Sequence, residues 1–581
     1  MGIFSRRDFL SWAAPALATQ TRGKPARPNV ILILTDDQGY GDLSCHGNPV
    51  LKTPHMDRLH SQSVRFTDFH SSPMCSPTRG QLLTGLDALR NGATFPATER
   101  SRLRQGITTM ADVFAANRYA TGIFGKWHLG DNYPYRPIDR GFQEAKYHLS
   151  YGLSSSSDFD NDYFDGRYVD NKTVRRFPGY CTDFWFGEAM GWMRSRQLER
   201  KPFFCYLPTN VPHGPQWVSD QYSNPYRKEG QPAAFYGMIA NLDENIGKLE
   251  GFLEESGLRE DTILMFLTDN GTQAGHRVFN AGMRGAKRSL YEGGHRVPCF
   301  IRWPSGGLGP AADIDEPAQV QDILPTLVDL CALPQLPNST LDGRSLAPLA
   351  RGAVNSFAGR MMVVQYGIVP KKWDACVIWG KWRLVGQELY DIGSDPGQIR
   401  DVAPQQSEVV QRMRDHYKTW WAGVAPALGK PSPSIIGSRH ENPVHLNSGD
   451  WDEFDCNDVQ CVTAAQGGPK GRPWNVLVDR GGEYEVMISR WPQAWRLPLS
   501  AGRPAQKMTA GSLPPGKAIP ISGAKLHVSG RVLSTRTTER DHAATFRFRL
   551  AAGAQTQIQG WFHDLQGNDV CGAYYASIRR I

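Results

Sequence analysis

Two apolar runs, one stopped by an Asp-Asp pair and the other by an Asp-Asn pair, constrain this chain more than any other feature. Asn29-Val30-Ile31-Leu32-Ile33-Leu34 carries no charged side chain and ends in Thr35-Asp36-Asp37. A run of that length reads as a strand buried on both faces, as in the middle of a parallel sheet. The pattern recurs at Thr262 to Leu267, followed by Thr268-Asp269-Asn270. Ligands of open parallel sheets gather at the carboxyl ends of the strands. Carboxylates clustered there repel one another and cost stability unless a cation neutralises them. Asp36, Asp37, Asp269 and Asn270 therefore read as a hard, all-oxygen donor set suited to one Ca2+, with Mg2+ as the alternative ion.

Other segments extend this frame. Tyr119 to Phe124, Lys201 to Leu207 and Val297 to Trp303 read as further strands, and Thr108 to Phe114 opens a helix. Phe235, Ile239, Leu242, Ile246, Leu249 and Leu253 recur at spacings of four and three, a strong amphipathic helix ended by Gly257. The expected fold class is α/β, with a large central mixed, mostly parallel sheet flanked by helices. A smaller α+β C-terminal subdomain is expected around Leu389-Tyr390-Asp391 and a helix from Ser407 to about Trp421. Beyond the Pro/Gly-rich connection Pro426 to Pro433, period-two apolarity at Trp474-Val476-Val478, Tyr484-Val486-Ile488 and Phe546-Phe548-Leu550 predicts an appended β-sandwich. The expected divisions are residues 28–345, 346–424 and 434–581.

Composition narrows the partners. At 581 residues the chain is too long for one core, and 40% hydrophobic with 21% charged residues is ordinary for a soluble globular protein. A net charge of +8 is modest at this size. No Lys/Arg run, zinc-type cysteine pair or basic helix indicates nucleic acid. No apolar run approaches the roughly 20 residues that span a bilayer. Ten scattered cysteines are too sparse for a disulfide scaffold, although Cys456 and Cys461 are close enough to bridge.

Four short motifs carry reactive groups. Cys75-Ser76-Pro77-Thr78-Arg79 falls where a helix can start, with Pro77 suited to the first helical position. That puts Cys75 at the positive end of a helix, beside the fixed cation of Arg79. In Gly125-Lys126-Trp127-His128, an extended backbone would point Lys126 and His128 to one side. Asn210-Val211-Pro212-His213 places a second imidazole in a Pro-braced loop, and Gly285-Ala286-Lys287 adds a further cation. Each motif alone is unremarkable.

Together, in order and spacing, they resemble the formylglycine-dependent sulfatases of the arylsulfatase type, in the alkaline-phosphatase-like superfamily. The resemblance runs from about Pro28 to Ala403 and is of the kind found in bacterial secreted sugar and aryl sulfatases. It implies that Cys75 is oxidised to formylglycine (3-oxoalanine) by a formylglycine-generating, sulfatase-maturating enzyme. It assigns Asp36, Asp37, the modified Cys75, Asp269 and Asn270 to the metal, and Cys75, Arg79, Lys126, His128, His213 and Lys287 to catalysis and sulfate binding. An amide oxygen at Asn270, where phosphonate monoester hydrolases and choline sulfatases carry a histidine, favours calcium over a transition metal. In the mechanism it implies, a hydroxyl of the hydrated aldehyde attacks sulfur. His213, helped by Lys287, protonates the departing alcohol, and His128 deprotonates the second hydroxyl so that the carbonyl re-forms and expels sulfate.

The expected substrate is an aryl sulfate or a sulfated sugar or polysaccharide. A phosphomonoester or phosphonate hydrolase and a non-catalytic polysaccharide-binding protein are the alternatives, the last disfavoured by the paired imidazoles. His276, Arg277, Asn280 and Arg284 are candidate sugar contacts, and the polar insertion between Tyr133 and Tyr180 is either a pocket wall or plain surface. Trp474, Trp491, Trp495 and Trp561 fit core packing better than a carbohydrate-binding face. Ser5-Arg6-Arg7-Asp8-Phe9-Leu10 with Ala16-Leu17-Ala18 resembles a twin-arginine signal peptide over residues 1–18. That implies handling by the twin-arginine translocase and a periplasmic or secreted location. Folded export would suit a Cys75 modified in the cytoplasm.

Overall fold

A computed structural model describes residues 27–308, 311–334, 340–430 and 432–581. The signal-peptide expectation lies outside them. Among the described residues, no helix is long and apolar enough to cross a membrane.

The run Asn29–Thr35 is the middle of a ten-stranded sheet because both its faces are covered. Val30, Leu32 and Leu34 point into one core with Leu82, Leu83, Phe114 and Leu327. Ile31 and Ile33 point into the other, against Phe235, Ile239, Leu242, Ile246 and Leu249 of the helix Ala233–Glu255. Each fully buried aliphatic side chain contributes roughly 1.5–3 kcal/mol, so a polar substitution on either face is costly. Thr262–Thr268 flanks this strand on one side and Phe203–Pro208 on the other, both parallel. Ala120–Lys126 and then Glu144–His148 continue the parallel order. The sheet is mixed because Cys299–Arg302 runs antiparallel to Thr262–Thr268, and Arg167–Asp170 antiparallel to Glu144–His148.

The helix expected near Thr108 is Met110–Ala116, started by a capping box in which Thr109 and Asp112 satisfy each other's backbone N–H. The antiparallel strands Met362–Val364, Cys376–Trp379, Trp382–Val385 and Glu388–Asp391 form a separate sheet. The helix Ser407–Val424 covers it through Met413 and Tyr417. The last quarter of the chain is two stacked sheets with one core, in which Val476, Val486, Phe546 and Ile558 alternate inward with polar residues outward. Trp474, Trp491 and Trp561 are buried there. Trp495 is flanked by Trp491 on one side, with the Arg503 guanidinium 4.3 Å from its ring centroid. These aromatics pack the fold rather than display a stacking face. Cys456 and Cys461 are joined in a disulfide.

Candidate active site

Register builds the site. Thr35 pairs with Thr268 in the parallel ladder, so Asp36 and Asp37 leave their strand beside Asp269 and Asn270. Leu34 pairs with Pro208 on the other side, which brings the loop carrying His213 to the same edge. The next parallel strand ends at Lys126. Gly125 precedes it at φ +133, and a Cβ there would lie 1.9 Å from the Pro208 carbonyl oxygen, so only glycine lets these strand ends meet.

Cys75 arrives on the helix Cys75–Thr84, every residue of which is buried. The helix begins at Cys75 itself, two residues before the start expected at Pro77. Pro77 is tolerated because the first-turn N–H groups have no intrahelical partner. Arg79, one turn on, has its Nη2 2.9 Å from Asp269 Oδ2 and 3.7 Å from Asp36 Oδ1. Lys126 Nζ lies 2.5 Å from Asp36 Oδ2, and Lys287 Nζ 2.6 Å from Asp37 Oδ1. One ligating atom each from Asp36, Cys75 and Asp269 lie within 4.8 Å of one another, as do atoms from Asp36, Asp37 and His213. All ten expected site residues thus converge.

The backbone of His128 differs from expectation. It is left-handed at φ +58, not extended, so the turn and not strand alternation brings its ring toward the site. His128 Nε2 donates to the Pro96 carbonyl at 2.7 Å and Nδ1 is buried without a partner. His213 Nδ1 donates to the Gly214 carbonyl at 2.6 Å, leaving Nε2 as a lone pair 3.8 Å from Asp37 Oδ2. A carbonyl can only accept, so each imidazole offers one bare nitrogen to the cleft.

Charge reinforces the pattern. Burial and then the Lys126 charge lower His213 to about 3. Burial, followed by Lys126, holds His128 well below the usual histidine range. Burial alone would raise Asp37, but Lys287, His213 and Lys126 together keep it strongly acidic. Burial, then the neighbouring Asp36 charge, raises Asp269 to about 7. Burial also pushes up the Cys75 thiol, against the pull of Lys126 and Lys287. Asp36 Oδ1 and Asn270 Oδ1 are buried oxygens without hydrogen-bond partners. Unpaired acceptors among crowded carboxylates fit a hard divalent cation held by Asp36, Asp37, Asp269 and Asn270.

Two of the other expected contacts are spent elsewhere. Asn280 Nδ2 donates to the carbonyls of Met283 and Gly285. The Arg284 guanidinium lies over the Tyr291 ring and donates to the Gln398 carbonyl. His276 and Arg277 are exposed. The insertion is a pocket wall at Tyr151, whose ring lies 5.9 Å from His128 and 5.8 Å from His213. Tyr151 Oη donates to the Asn457 carbonyl, so the C-terminal sandwich braces this wall. Neither residue stood out in the sequence, because a lone tyrosine in a polar insertion carries no spacing signal.

Comparison with known proteins agrees with this geometry. A family model described as Sulfatase matches residues 28–332. Arylsulfatase A of Homo sapiens is 33% identical over 362 residues, spanning 57% of this chain and 69% of that protein. N-acetylgalactosamine-6-sulfatase of Canis lupus familiaris is 29% identical over 358 residues, spanning 57% and 67%. The crystal structure of Ps i-CgsB in complex with k-i-k-neocarrahexaose is similar with a TM-score of 0.63 at 26% identity, covering 68% of this chain and 92% of that one. The chain belongs to the sulfatase family and is a sulfatase, an enzyme that hydrolyses sulfate esters.

Proposed function

We propose that this sulfatase works through a formylglycine made from Cys75, with a calcium ion on Asp36, Asp37, Asp269 and Asn270, and that its natural substrate is a sulfated sugar or polysaccharide. The observation that carries the reading is the convergence of Cys75 with cations and bare imidazole nitrogens at one sheet edge. Calcium would supply charge neutralisation among the carboxylates and Lewis acidity toward a sulfate oxygen. The hydrated aldehyde would supply two hydroxyls on one carbon, one to attack sulfur and one whose loss of a proton lets the carbonyl re-form.

The chain's own residues do the rest. Lys126 and Lys287 face the cleft as fixed cations and hold the anionic sulfate oxygens. Arg79 fixes the Asp269 carboxylate and, through its bond to the Lys126 carbonyl, the end of that strand. His213 is placed to pass a proton to the departing alcohol oxygen; an anionic sulfate bound beside it favours the protonated imidazole, which takes that proton from solvent before the alcohol leaves. His128, held by Pro96 with Nδ1 bare, is the acceptor for the second hydroxyl's proton.

A sugar substrate is supported by the N-acetylgalactosamine-6-sulfatase relative and by the oligosaccharide in the Ps i-CgsB complex. The polar, tyrosine-lined insertion suits the hydroxyl-rich rim of such a ligand. We further take residues 28–345 as the catalytic unit, 346–424 as its C-terminal subdomain, 434–581 as an accessory sandwich, and residues 1–18 as an export signal. The test is the peptide mass at position 75 in protein co-expressed with a maturation enzyme, paired with sulfate release. An unmodified thiol in fully active protein would overturn the proposal.

A further inference from the structure

A second cluster of ligating side chains lies outside the catalytic cleft. The short turn Ser44–His46 carries Cys45 and His46, and the helix Pro54–Ser61 carries His60. The Cys45 sulfur and one ring nitrogen from each histidine lie within 4.8 Å of one another. All three residues are half-buried, so the cluster opens to solvent. Cys45 is the one free cysteine that is not fully buried.

The surroundings orient these groups. His46 Nδ1 donates to the Tyr40 carbonyl at 2.8 Å, which leaves Nε2 as a lone pair. A backbone carbonyl holding one ring nitrogen is the usual way a protein fixes a metal-binding imidazole. The His46 ring stacks on Tyr40 at 4.0 Å and meets His60 edge-on at 5.6 Å. Phe300 packs its edge against both histidines. Neither ring nitrogen of His60 has a hydrogen-bond partner among the described residues. Burial lowers both imidazoles, His46 to about 4, so both are neutral and ready to ligate.

We propose that Cys45, His46 and His60 form a zinc site, with one thiolate and two imidazole nitrogens as ligands and water in the fourth position. A thiolate with two imidazoles is a borderline-soft set that suits Zn2+ and not the hard cation of the catalytic cleft. Zinc ligands in a tetrahedral site stand about 3.3–3.6 Å apart, so small side-chain rotations close the site. Burial and then the adjacent Asp57 carboxylate hold Cys45 as a thiol in the free protein. Binding therefore releases one proton, from sulfur to solvent, and leaves one net positive charge facing Asp57. The other charged groups nearby are Arg65, paired with Asp313 at 2.6 Å, and Arg296, over the Tyr40 ring. The bound ion would tie the turn that follows the Asp36-Asp37 loop to the helix Pro54–Ser61.

The test uses the full-length enzyme. Alkylation of native protein, read by peptide mass, labels Cys45; Zn2+ abolishes that labelling and a chelator restores it. Co2+ gives a sulfur-to-metal charge-transfer band that is lost in Cys45→Ser and weakened in His60→Gln, while both variants keep sulfatase activity. The Cys45→Ser control separates this band from any signal of unmodified Cys75. Labelling of Cys45 at an unchanged rate in millimolar Zn2+ overturns the proposal, whatever the variants do. A cobalt band that survives Cys45→Ser overturns it equally.

Discussion

Arg383 offers the sharpest test of how the sulfatase holds its reactive loops. Its side chain comes from the four-stranded sheet, is fully buried, and bonds both oxygens of Asp68 at 2.7 and 2.8 Å. It also donates to Glu292 Oε1 at 2.7 Å. Asp68 lies on the segment leading to Cys75, and Glu292 on the one following Lys287. Arg383→Met keeps the volume and removes the charge, leaving two carboxylates buried with weaker compensation. Breaking a buried ion pair by removing one partner costs about 3–5 kcal/mol.

Burial would raise Asp68 and Glu292, but Arg383 heads the influences that hold both below the usual carboxylate range. In the variant the largest lowering charge is gone, with His70 and Arg296 left beside Asp68 and His70 and His295 beside Glu292, so burial moves both carboxyls up from their parent values. The folded variant then binds protons more tightly than the folded parent, so its deficit is small near pH 4 and grows as pH rises toward 7. A chain with several sheets need not melt as one unit, so the assay is hydrogen exchange at the amides of Cys376–Trp379. Protection there should fall by about a hundredfold or more at pH 7, following from the 3–5 kcal/mol loss. A change of less than about tenfold, some 1.4 kcal/mol, would refute the idea that Arg383 clamps these loops.

Further outcomes are expected. Cys75→Ala should abolish sulfate release while circular dichroism stays as in the parent and calcium binding is largely kept by Asp36, Asp37, Asp269 and Asn270; retained turnover would sink the formylglycine mechanism. Lys287→Ala, which strips Asp37 of its nearest cation, should lower kcat by about 10²–10³ as for loss of one electrostatic stabiliser. Calcium removal with a chelator should destabilise the catalytic core, and readdition at a hundred times Kd should restore about 2.7 kcal/mol, read as a thermal shift. Burial and then Asp342 raise Asp87 to about 7, so its contribution is fully present below about pH 4 and is lost as pH rises through 7. Asp342→Asn should lower Asp87 and flatten that part of the stability–pH curve; an unchanged curve would exclude this pair as its source.

Much was legible in one dimension because burial on both faces demands an unbroken apolar run. Asn29–Thr35, Thr262–Thr268 and the helix Ala233–Glu255 stand where their periodicity puts them. Positive-φ backbone was not legible: His128 is placed by a left-handed turn that no residue spacing encodes. Nor was the use of Asn280 and Arg284, whose side chains look like ligand contacts in sequence and serve as internal braces. Tyr151 depends on Asn457, some 300 residues later, for its position.

By itself, the sequence determined the reactive groups: a cysteine before Pro and Arg, an Asp-Asp and an Asp-Asn pair after two strands, and lysines and histidines in short motifs. Tertiary structure decided that they form one site. The parallel register of Thr35 with Thr268, and of Leu34 with Pro208, sets the strand ends side by side. Charges that would repel one another in isolated turns are brought into a buried cleft where Lys126, Lys287 and Arg79 oppose them. Register is a property of paired strands, so no single segment could have specified it.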